Sequence, residues 1–206
     1  MKGTRPLTLG EIRKVARTFE GRNELRDRSL FILGINTGGR ISELLSLKIG
    51  DVFQNNKPVT DLQFSKHQVK GKENARTIPL NSDGRQAVRD LIRWHRNRYG
   101  RAYRDRALFA SQYPNGAMSR RNAHDILKAA FLKAGLNGKL ATHSMRKTFA
   151  QRLYNATGDI FIIKELLGHK SVNTTQDYLG FNYDEVRSIS ETLSGLLEGD
   201  EDEEET

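Results

Sequence analysis

Six residues, spread over four short segments of the chain, have types and spacings that could act on a phosphodiester bond. They are Arg40, Lys70, His143, Arg146, His169 and Tyr178. A tyrosine phenol can form a phosphate ester that conserves the bond energy for later religation. Arginines suit the non-bridging oxygens, because a planar guanidinium donates to two oxygens and keeps its charge. A lysine can protonate a departing 5′-oxygen, and histidines can donate to the phosphate or move the phenolic proton.

Each segment also has an ordinary structural explanation. The first arginine could be a helix-start residue paired with Glu43, and the lysine turn could be a solvated hairpin edge. The His143–Arg146 pair is one helical turn apart, as on many surface helices. Gly168 followed by a histidine is typical of a helix C-cap, and the tyrosine could be a half-buried core residue. The joint occurrence of all four segments is what favours chemistry.

The pattern along the chain predicts helices around a small antiparallel sheet. Thr8 and Glu11 have capping-box spacing before an amphipathic stretch that ends near Gly21. Later helices are predicted over 26–36, 41–47, from 81 or 82 past Trp94, and over 119–135, 143–156, 159–167, 171–179 and 183–197. Strands are predicted at 52–53, 59–64 and 75–80, with turns at 55–57 and 70–74 and Pro79 at an edge or strand end. This order indicates an α+β, mostly α domain.

The charge of the chain is strongly divided. Its formal net charge is +9, although seven acidic residues lie within 198–205. Without those seven charges the rest of the chain carries +16. A chain with this much positive charge is suited to bind a polyanion such as DNA, because each phosphate contact releases condensed counterions. The chain has no cysteine, which excludes disulfides and thiolate metal sites and is compatible with a reducing cytoplasm.

The order and spacing of the four segments resemble the tyrosine recombinases, the phage integrase family. In that family an arginine follows a Thr-Gly-x element, as in Thr37-Gly38-Gly39-Arg40-Ile41-Ser42-Glu43-Leu44. A hairpin lysine then precedes an Arg-x-Ile/Val-Pro-Leu strand, which matches Arg76-Thr77-Ile78-Pro79-Leu80. The His-x-x-Arg box matches His143–Arg146. The segment Leu166-Leu167-Gly168-His169, followed by Tyr178, matches the family in residue types and in spacing.

The resemblance covers roughly residues 8–190 and implies a helical catalytic domain with a small antiparallel sheet or hairpin, the tyrosine recombinase catalytic fold. It implies that Tyr178 attacks the scissile phosphate, forms a 3′-phosphotyrosine and releases a 5′-hydroxyl. A second strand's 5′-hydroxyl then attacks that ester. Two rounds through a four-way junction exchange duplexes without ATP, cofactor or metal. The implied partners are double-stranded DNA and further copies of the chain in a tetramer on DNA, with no membrane.

The resemblance also implies roles for residues beside the nucleophile. Lys70 is the implied general acid, with Lys72 as runner-up, and Lys66 belongs to the preceding segment. Glu43 is implied to buttress the arginine and histidine cluster rather than to react.

A helix starting at Ser119 is implied to enter the major groove of DNA. Its first turns carry Arg120, Arg121 and His124, which are predicted to contact base edges or phosphates. Arg76 is predicted as a further DNA contact. A solvated basic turn is the alternative for each helix residue.

Two features depart from the family pattern. Members usually carry a separate helical core-binding domain before this one, whereas here only a few residues precede the first predicted helix. We therefore expect a catalytic domain over 1–197 without the N-terminal core-binding domain, either as an excised fragment or as a naturally minimal enzyme. The acid run, 198–206, is expected to be a disordered tail, which could compete with DNA for the basic face.

Two other functions stay open at this stage. A type IB topoisomerase-like enzyme shares the chemistry but religates the same strand, although the spacing between the glycine-histidine pair and Tyr178 favours recombinases. A non-catalytic DNA-binding accessory is the second, and the intact set of six residues argues against it. A two-metal nuclease is disfavoured, because none of the motifs gathers carboxylates. The expected location is the cytoplasm, at the nucleoid of a prokaryotic, viral or mobile-element host.

Overall fold

The computed structural model describes residues 3–65, 75–111 and 116–179. Within these ranges the chain forms helices around two short antiparallel sheets, which is the predicted fold class. The helices are α1 Leu9–Ala16, α2 Glu24–Thr37, α3 Ile41–Ser46, α4 Ile49–Val52, α5 Ser82–Tyr99, α6 Arg120–Lys133, α7 Thr142–Thr157, α8 Ile160–Leu167 and α9 Val172–Leu179. The strands are β1 Phe53–Gln54, β2 Lys57–Pro58, β3 Asp61–Phe64 and β4 Arg76–Pro79.

The first helix begins where its capping box predicts. The Thr8 hydroxyl accepts a hydrogen bond from the Glu11 amide at 3.2 Å, and the Glu11 carboxylate accepts one from the Thr8 amide at 2.9 Å. The helix ends at Ala16, earlier than the predicted stop near Gly21. Its last turn tightens because the Thr18 amide and hydroxyl both donate to the Val15 carbonyl, which ends the α-helical pattern.

Helix α2 is the central element of the fold. Most of its residues from Ser29 to Thr37 are buried, and it packs against both α5 and α7. At the crossing with α7, a Cβ on Gly34 would lie 2.5 Å from the sulfur of Met145. Only glycine permits this approach, and it brings the end of α2 close to the helix that carries the His-x-x-Arg box.

The strands form two separate pairs rather than the single small sheet predicted. β1 pairs with β2 through a turn in which Asn55 and Asn56 have φ of 50° and 59°, as in a tight hairpin. β3 pairs with β4 and leads to Pro79 as the last strand residue, as predicted. Val52 was predicted to start a strand, which is wrong. It ends α4, because the Lys48 and Asp51 pair caps a single helical turn there.

Two buried apolar clusters hold these elements together. One joins α2 and α3 to the strands, α5, α7 and α8, and the other joins α1 and α2 to α6 and α7. The predicted helix over 183–197 and the tail over 198–206 lie outside the described residues. No helix in the described part of the chain is long and apolar enough to cross a membrane.

Candidate active site

The turn after α2 places the first arginine. Gly38 takes a left-handed conformation with φ of 60° and closes α2 by donating to the Gly34 carbonyl at 3.1 Å. A Cβ on Gly38 would lie 2.4 Å from the Phe149 ring, so both the backbone angle and the space require glycine. The chain then reverses, and Arg40 occupies the N-cap position of α3.

A buried carboxylate organises this turn. Glu43 is fully buried, and it accepts hydrogen bonds from the Arg40 amide at 2.7 Å and from the Arg40 guanidinium at 3.2 Å. Burial by itself raises the pKa of the Glu43 carboxyl most strongly, but the hydrogen bonds and the nearby guanidinium charges hold the pKa below its usual value. Glu43 therefore stays ionised and orients Arg40, which supports the buttressing role implied by the family.

Arg76, which the sequence predicts as a DNA contact, is buried in the structure. Its guanidinium donates to both Glu43 oxygens at 3.2 and 2.5 Å and lies 4.6 Å from the centre of the Phe64 ring. The side chain is 4% exposed. A buried carboxylate needs a cation beside it, and this need places Arg76 inside the protein.

Arg146 is the most deeply buried of the five predicted catalytic residues that the structure describes. It is 2% exposed and donates to the Gly38 and Leu167 carbonyls, both at 2.6 Å. These bonds connect α7 to the last turns of α2 and α8. Burial and the positive charge of Arg40 lower the pKa of Arg146 to about 10, so the group remains charged at neutral pH.

His143 lies one turn before Arg146 on α7, and its side chain is exposed. Partial burial of the ring and the charges of Arg146, Arg40 and Lys147 lower its pKa. A depression of about 280 Å³ opens beside it. Its lining residues are Gly39, Arg40, Ile41, Ser42, Arg120, Thr142, His143 and Arg146.

His169 follows the glycine cap of α8. Its amide donates to the Lys164 carbonyl at 2.9 Å, and its Nδ1 lies 3.0 Å from the hydroxyl oxygen of Thr175 on α9. The ring is 7% exposed. Burial, followed by the charges of nearby arginines, lowers the pKa of His169 to about 4. The imidazole is therefore neutral at physiological pH.

Tyr178 reaches the same cluster from α9. Its ring lies edge-on to His169, with 5.5 Å between ring centres, and the Lys147 ammonium lies 5.4 Å from its ring centre. The hydroxyl is buried and has no hydrogen-bond partner among the described residues. Burial raises the pKa of the phenol, and the charges of Arg146 and Arg40 oppose that rise, together with a polar interaction from the Arg146 side chain that falls short of hydrogen-bond geometry.

The structure thus brings together five of the six predicted catalytic residues, Arg40, His143, Arg146, His169 and Tyr178. Lys70, with its alternatives Lys66 and Lys72, lies outside the described residues. Along the described ranges, no group of three or more histidine, aspartate or glutamate side chains has the arrangement of a metal site.

Helix α6 begins beside the depression. The Ser119 hydroxyl caps it by accepting from the Asn122 amide at 3.1 Å. Arg120, Arg121 and His124 are all exposed in its first turns, and Arg120 alone among them lines the depression.

Lys147 and Thr175 contact the cluster but were not identified from the sequence. Lys147 is 7% exposed and directly follows Arg146 in the chain. Thr175 lies one helical turn before Tyr178. Their positions next to motif residues were the available signal. Their side-chain directions depend on how α7, α8 and α9 pack.

Known proteins share both the sequence pattern and the fold. Residues 6–185 match the phage integrase family. Tyrosine recombinase XerD of Corynebacterium glutamicum is 34% identical over 167 residues, which cover 81% of this chain and 52% of XerD. The chain therefore spans about half the length of this curated relative.

Solved structures extend the comparison to the tertiary fold. The crystal structure of XerA recombinase aligns with a TM-score of 0.71 at 22% identity, covering 94% of this chain and 67% of XerA. The XerH site-specific recombinase, bound to a palindromic difH substrate in a post-cleavage complex, aligns with a TM-score of 0.70 at 25% identity. That alignment covers 92% of this chain and 53% of XerH. The α+β, mostly α fold expected from the sequence is confirmed.

Proposed function

Because this chain belongs to the phage integrase family, we propose that it is the catalytic part of a site-specific DNA recombinase. It cleaves and rejoins DNA through a 3′-phosphotyrosine bond to Tyr178. One observation carries the proposal: the Tyr178 hydroxyl is buried without a hydrogen bond of good geometry to a described residue, and the positive charges of Arg146 and Arg40 favour its phenolate form. A buried hydroxyl without a partner is costly, and a phosphate would supply the missing acceptor.

In the cleavage step the Tyr178 oxygen attacks the scissile phosphorus, and the bond from phosphorus to the 5′-oxygen breaks. Negative charge grows on the non-bridging oxygens, which Arg40 and Arg146 bind. Glu43 and the Gly38 and Leu167 carbonyls hold these two guanidinium groups in place before substrate arrives. Such preorganised charges stabilise a transition state without moving during the reaction.

The two histidines act on protons and on the phosphate. His169 is neutral and lies edge-on to the Tyr178 ring, so it is suited to donate an N–H to a phosphate bound beside that ring. His143 borders the depression together with both arginines and is suited to donate to a phosphate oxygen bound there.

Lys70 is the proposed general acid for the leaving 5′-oxygen. It gives a proton to that oxygen as the bond breaks, which yields a free 5′-hydroxyl. In the second step a 5′-hydroxyl attacks the phosphotyrosine ester, and the phenol is released. The two steps balance without ATP, because the ester keeps the energy of the original bond.

The proposed partner is double-stranded DNA. The body of the chain carries +16 outside the acidic run, and the related XerH binds its difH substrate. Residues 1–197 form the proposed catalytic domain, which acts in a tetramer on DNA in the cytoplasm of a prokaryotic, viral or mobile-element host. Arg120, Arg121 and His124 on α6 are the proposed DNA contacts.

Covalent capture tests the proposal. The chain is incubated with suicide DNA in which the short fragment that bears the freed 5′-hydroxyl diffuses away after cleavage, and the adduct is followed by denaturing electrophoresis. Capture should appear for the parent chain and disappear for Tyr178→Phe. A parent chain that binds DNA but never forms an adduct on any candidate site would support a non-catalytic accessory. Relaxation of supercoiled DNA without strand exchange between duplexes would indicate a topoisomerase.

A further inference from the structure

A second basic surface lies between the β1–β2 hairpin and α5. It is a groove of about 520 Å³, and among its described lining residues there is no acidic side chain. Its cations are Lys57, Arg89, Arg93 and Arg96, all of them exposed. Phe53 and Pro58, which are both partly exposed, contribute apolar surface between them, and the buried Ile92 lies beneath. The groove shares no lining residue with the depression at the candidate active site.

Most of this positive charge is not neutralised within the described part of the chain. Lys57 and Arg96 form no salt bridge with a described residue. Arg93 has one ion pair, at 3.6 Å from Asp90, in which the arginine is exposed and the aspartate largely buried. The Arg89 guanidinium donates to the neutral Gln86. Four like charges around one apolar surface repel one another, so an anionic segment with apolar residues would fit here.

The end of the chain has this composition. Leu196 and Leu197 directly precede seven acidic residues within 198–205. We propose that the C-terminal segment 196–205 binds the groove between β1–β2 and α5 of its own chain. The two leucines contact the apolar surface, and the carboxylates neutralise the four cations.

The proposed binding is within reach of the chain. Residues 180–197 separate the end of α9 from the acid run, and a stretch of this length spans at most roughly 60 Å. A folded domain of this size has a radius of gyration of about 17 Å, so a fully extended stretch reaches most of its surface, and a stretch with the predicted helix over 183–197 reaches roughly 30 Å. Tethering also gives the segment an effective concentration on the order of millimolar, which allows weak ionic contacts to be populated.

The groove matches the acidic C-terminal segment better than the candidate active site does. There, the Arg146 guanidinium is bound to two carbonyls and Arg40 to Glu43. On nearby α6, Arg121 lies 3.9 Å from Asp125, which adds negative charge to that surface. A tail in the α5 groove therefore leaves the proposed DNA-binding face uncovered. This inference does not depend on the recombinase proposal.

Zero-length cross-linking tests the inference on the full chain. A carbodiimide joins carboxylates to amines in direct contact but does not react with arginine, so Lys57 reports on the groove. Lys128 on α6 and Lys48 before α4 are exposed comparison lysines. In the monomer band at low salt, peptides from 196–206 should be joined to Lys57 about tenfold more often than to Lys128 or Lys48, as local ion pairing requires. The preference should disappear in 0.5 M salt, about three times the physiological ionic strength.

Two charge-reversal variants sharpen the test. Arg89→Glu/Arg93→Glu/Arg96→Glu should abolish the preference for Lys57. Arg13→Glu/Lys14→Glu/Arg17→Glu makes the same change in net charge on exposed positions of α1 and its C-cap, and it should keep the preference. Circular dichroism checks that both triple variants fold. If the α5 triple variant does not fold, the single variant Arg96→Glu should still lower the yield of the cross-link to Lys57.

Four results obtained without DNA would overturn the inference. They are equal cross-linking of all exposed lysines, a preference for Lys128, a Lys57 cross-link found only in dimers, and equal effects of the two triple variants. A further experiment with saturating duplex DNA tests whether DNA, rather than the C-terminal segment, occupies the groove. The Lys57 cross-link should persist when DNA is bound, and its loss would indicate that the groove binds DNA instead.

Discussion

The Arg76 guanidinium lies 2.5 Å from the Glu43 carboxylate, and both side chains are buried. This pair connects β4 to the start of α3, where Glu43 also accepts a hydrogen bond from Arg40. A buried ion pair adds little net stability, but either member alone is left as an uncompensated buried charge. The pair therefore makes the position of Arg40 depend on a residue of the second sheet.

Breaking this pair should destabilise the protein. Arg76→Met should lower the free energy of unfolding by about 3–5 kcal/mol, measured by urea denaturation, because Glu43 loses its main cation. The double variant Glu43→Leu/Arg76→Met should recover most of that loss. Its covalent capture of DNA should still fall about 100-fold, because Arg40 is no longer oriented. A double variant as unstable as Arg76→Met, or one with parental capture, would contradict this role.

Tyr178→Phe should leave the protein at least as stable as its parent. The change removes a buried hydroxyl with no hydrogen-bond partner among the described residues, so the free energy of unfolding should rise by about 1 kcal/mol. Urea unfolding measures this effect without any DNA. A clear loss of stability would show that the hydroxyl has a structural partner. An adduct that persists in this variant would identify another nucleophile, with Tyr183 the nearest candidate.

Stability should fall as the pH decreases from about 6.5 towards 4. Burial lowers the pKa of His169 to about 4 and also lowers that of His95, whose Nε2 lies 2.8 Å from the Leu108 carbonyl. Above pH 6.5 both histidines are neutral in the folded and unfolded chains. Below it the unfolded chain binds protons that the folded chain does not, and each site costs at most roughly 1.4 kcal/mol per pH unit.

Urea titrations at pH 7.0, 6.0 and 5.5 measure how steeply the free energy of unfolding falls as the pH decreases, in a range where most carboxylates are still ionised. His95→Gln keeps a donor for the carbonyl and should reduce the slope, as should His169→Gln. Slopes parallel to that of the parent chain in both variants would show that neither histidine is the source.

Arg120 and Arg121 are neighbours on α6 that should have separable effects. Arg120 lines the depression with Arg146, whereas the Arg121 side chain is 91% exposed. Arg120→Gln should slow covalent capture about tenfold or more at saturating DNA, because it removes a charged contact near the reacting phosphate. Arg121→Gln should weaken binding and reduce the salt slope by about one, with an unchanged rate at saturation. Equal rate losses in both variants would contradict the distinction.

Lys70→Ala should cleave ordinary DNA about 10²–10⁴-fold more slowly, the usual contribution of a general acid. Replacing the 5′-bridging oxygen with sulfur creates a leaving group that needs no proton, so Lys70→Ala should cleave this DNA at nearly the parental rate. Lys72→Ala and Lys66→Ala serve as controls without selective rescue. If the sulfur-substituted DNA rescues Lys72→Ala instead, Lys72 is the general acid. If it rescues none of the three variants, the general acid is another residue.

Local sequence was enough to determine most of the elements and the family. The capping box at Thr8, the turn at Asn55 and Asn56, and the glycine caps of α2, α7 and α8 act within a few residues, so their conformations follow from short-range hydrogen bonds and backbone sterics. The catalytic motifs are likewise short, and the order and spacing of their residues identified the family.

Only the tertiary structure decided which charged groups are buried together. Arg76 is predicted from the sequence as a DNA contact, and the structure shows that it pairs in the interior with Glu43, a residue 33 positions away. The unpaired Tyr178 hydroxyl and the neutral His169 likewise depend on how α7, α8 and α9 pack. Desolvation and ion pairing act between atoms that are close in space, and spacing along the chain does not specify those distances.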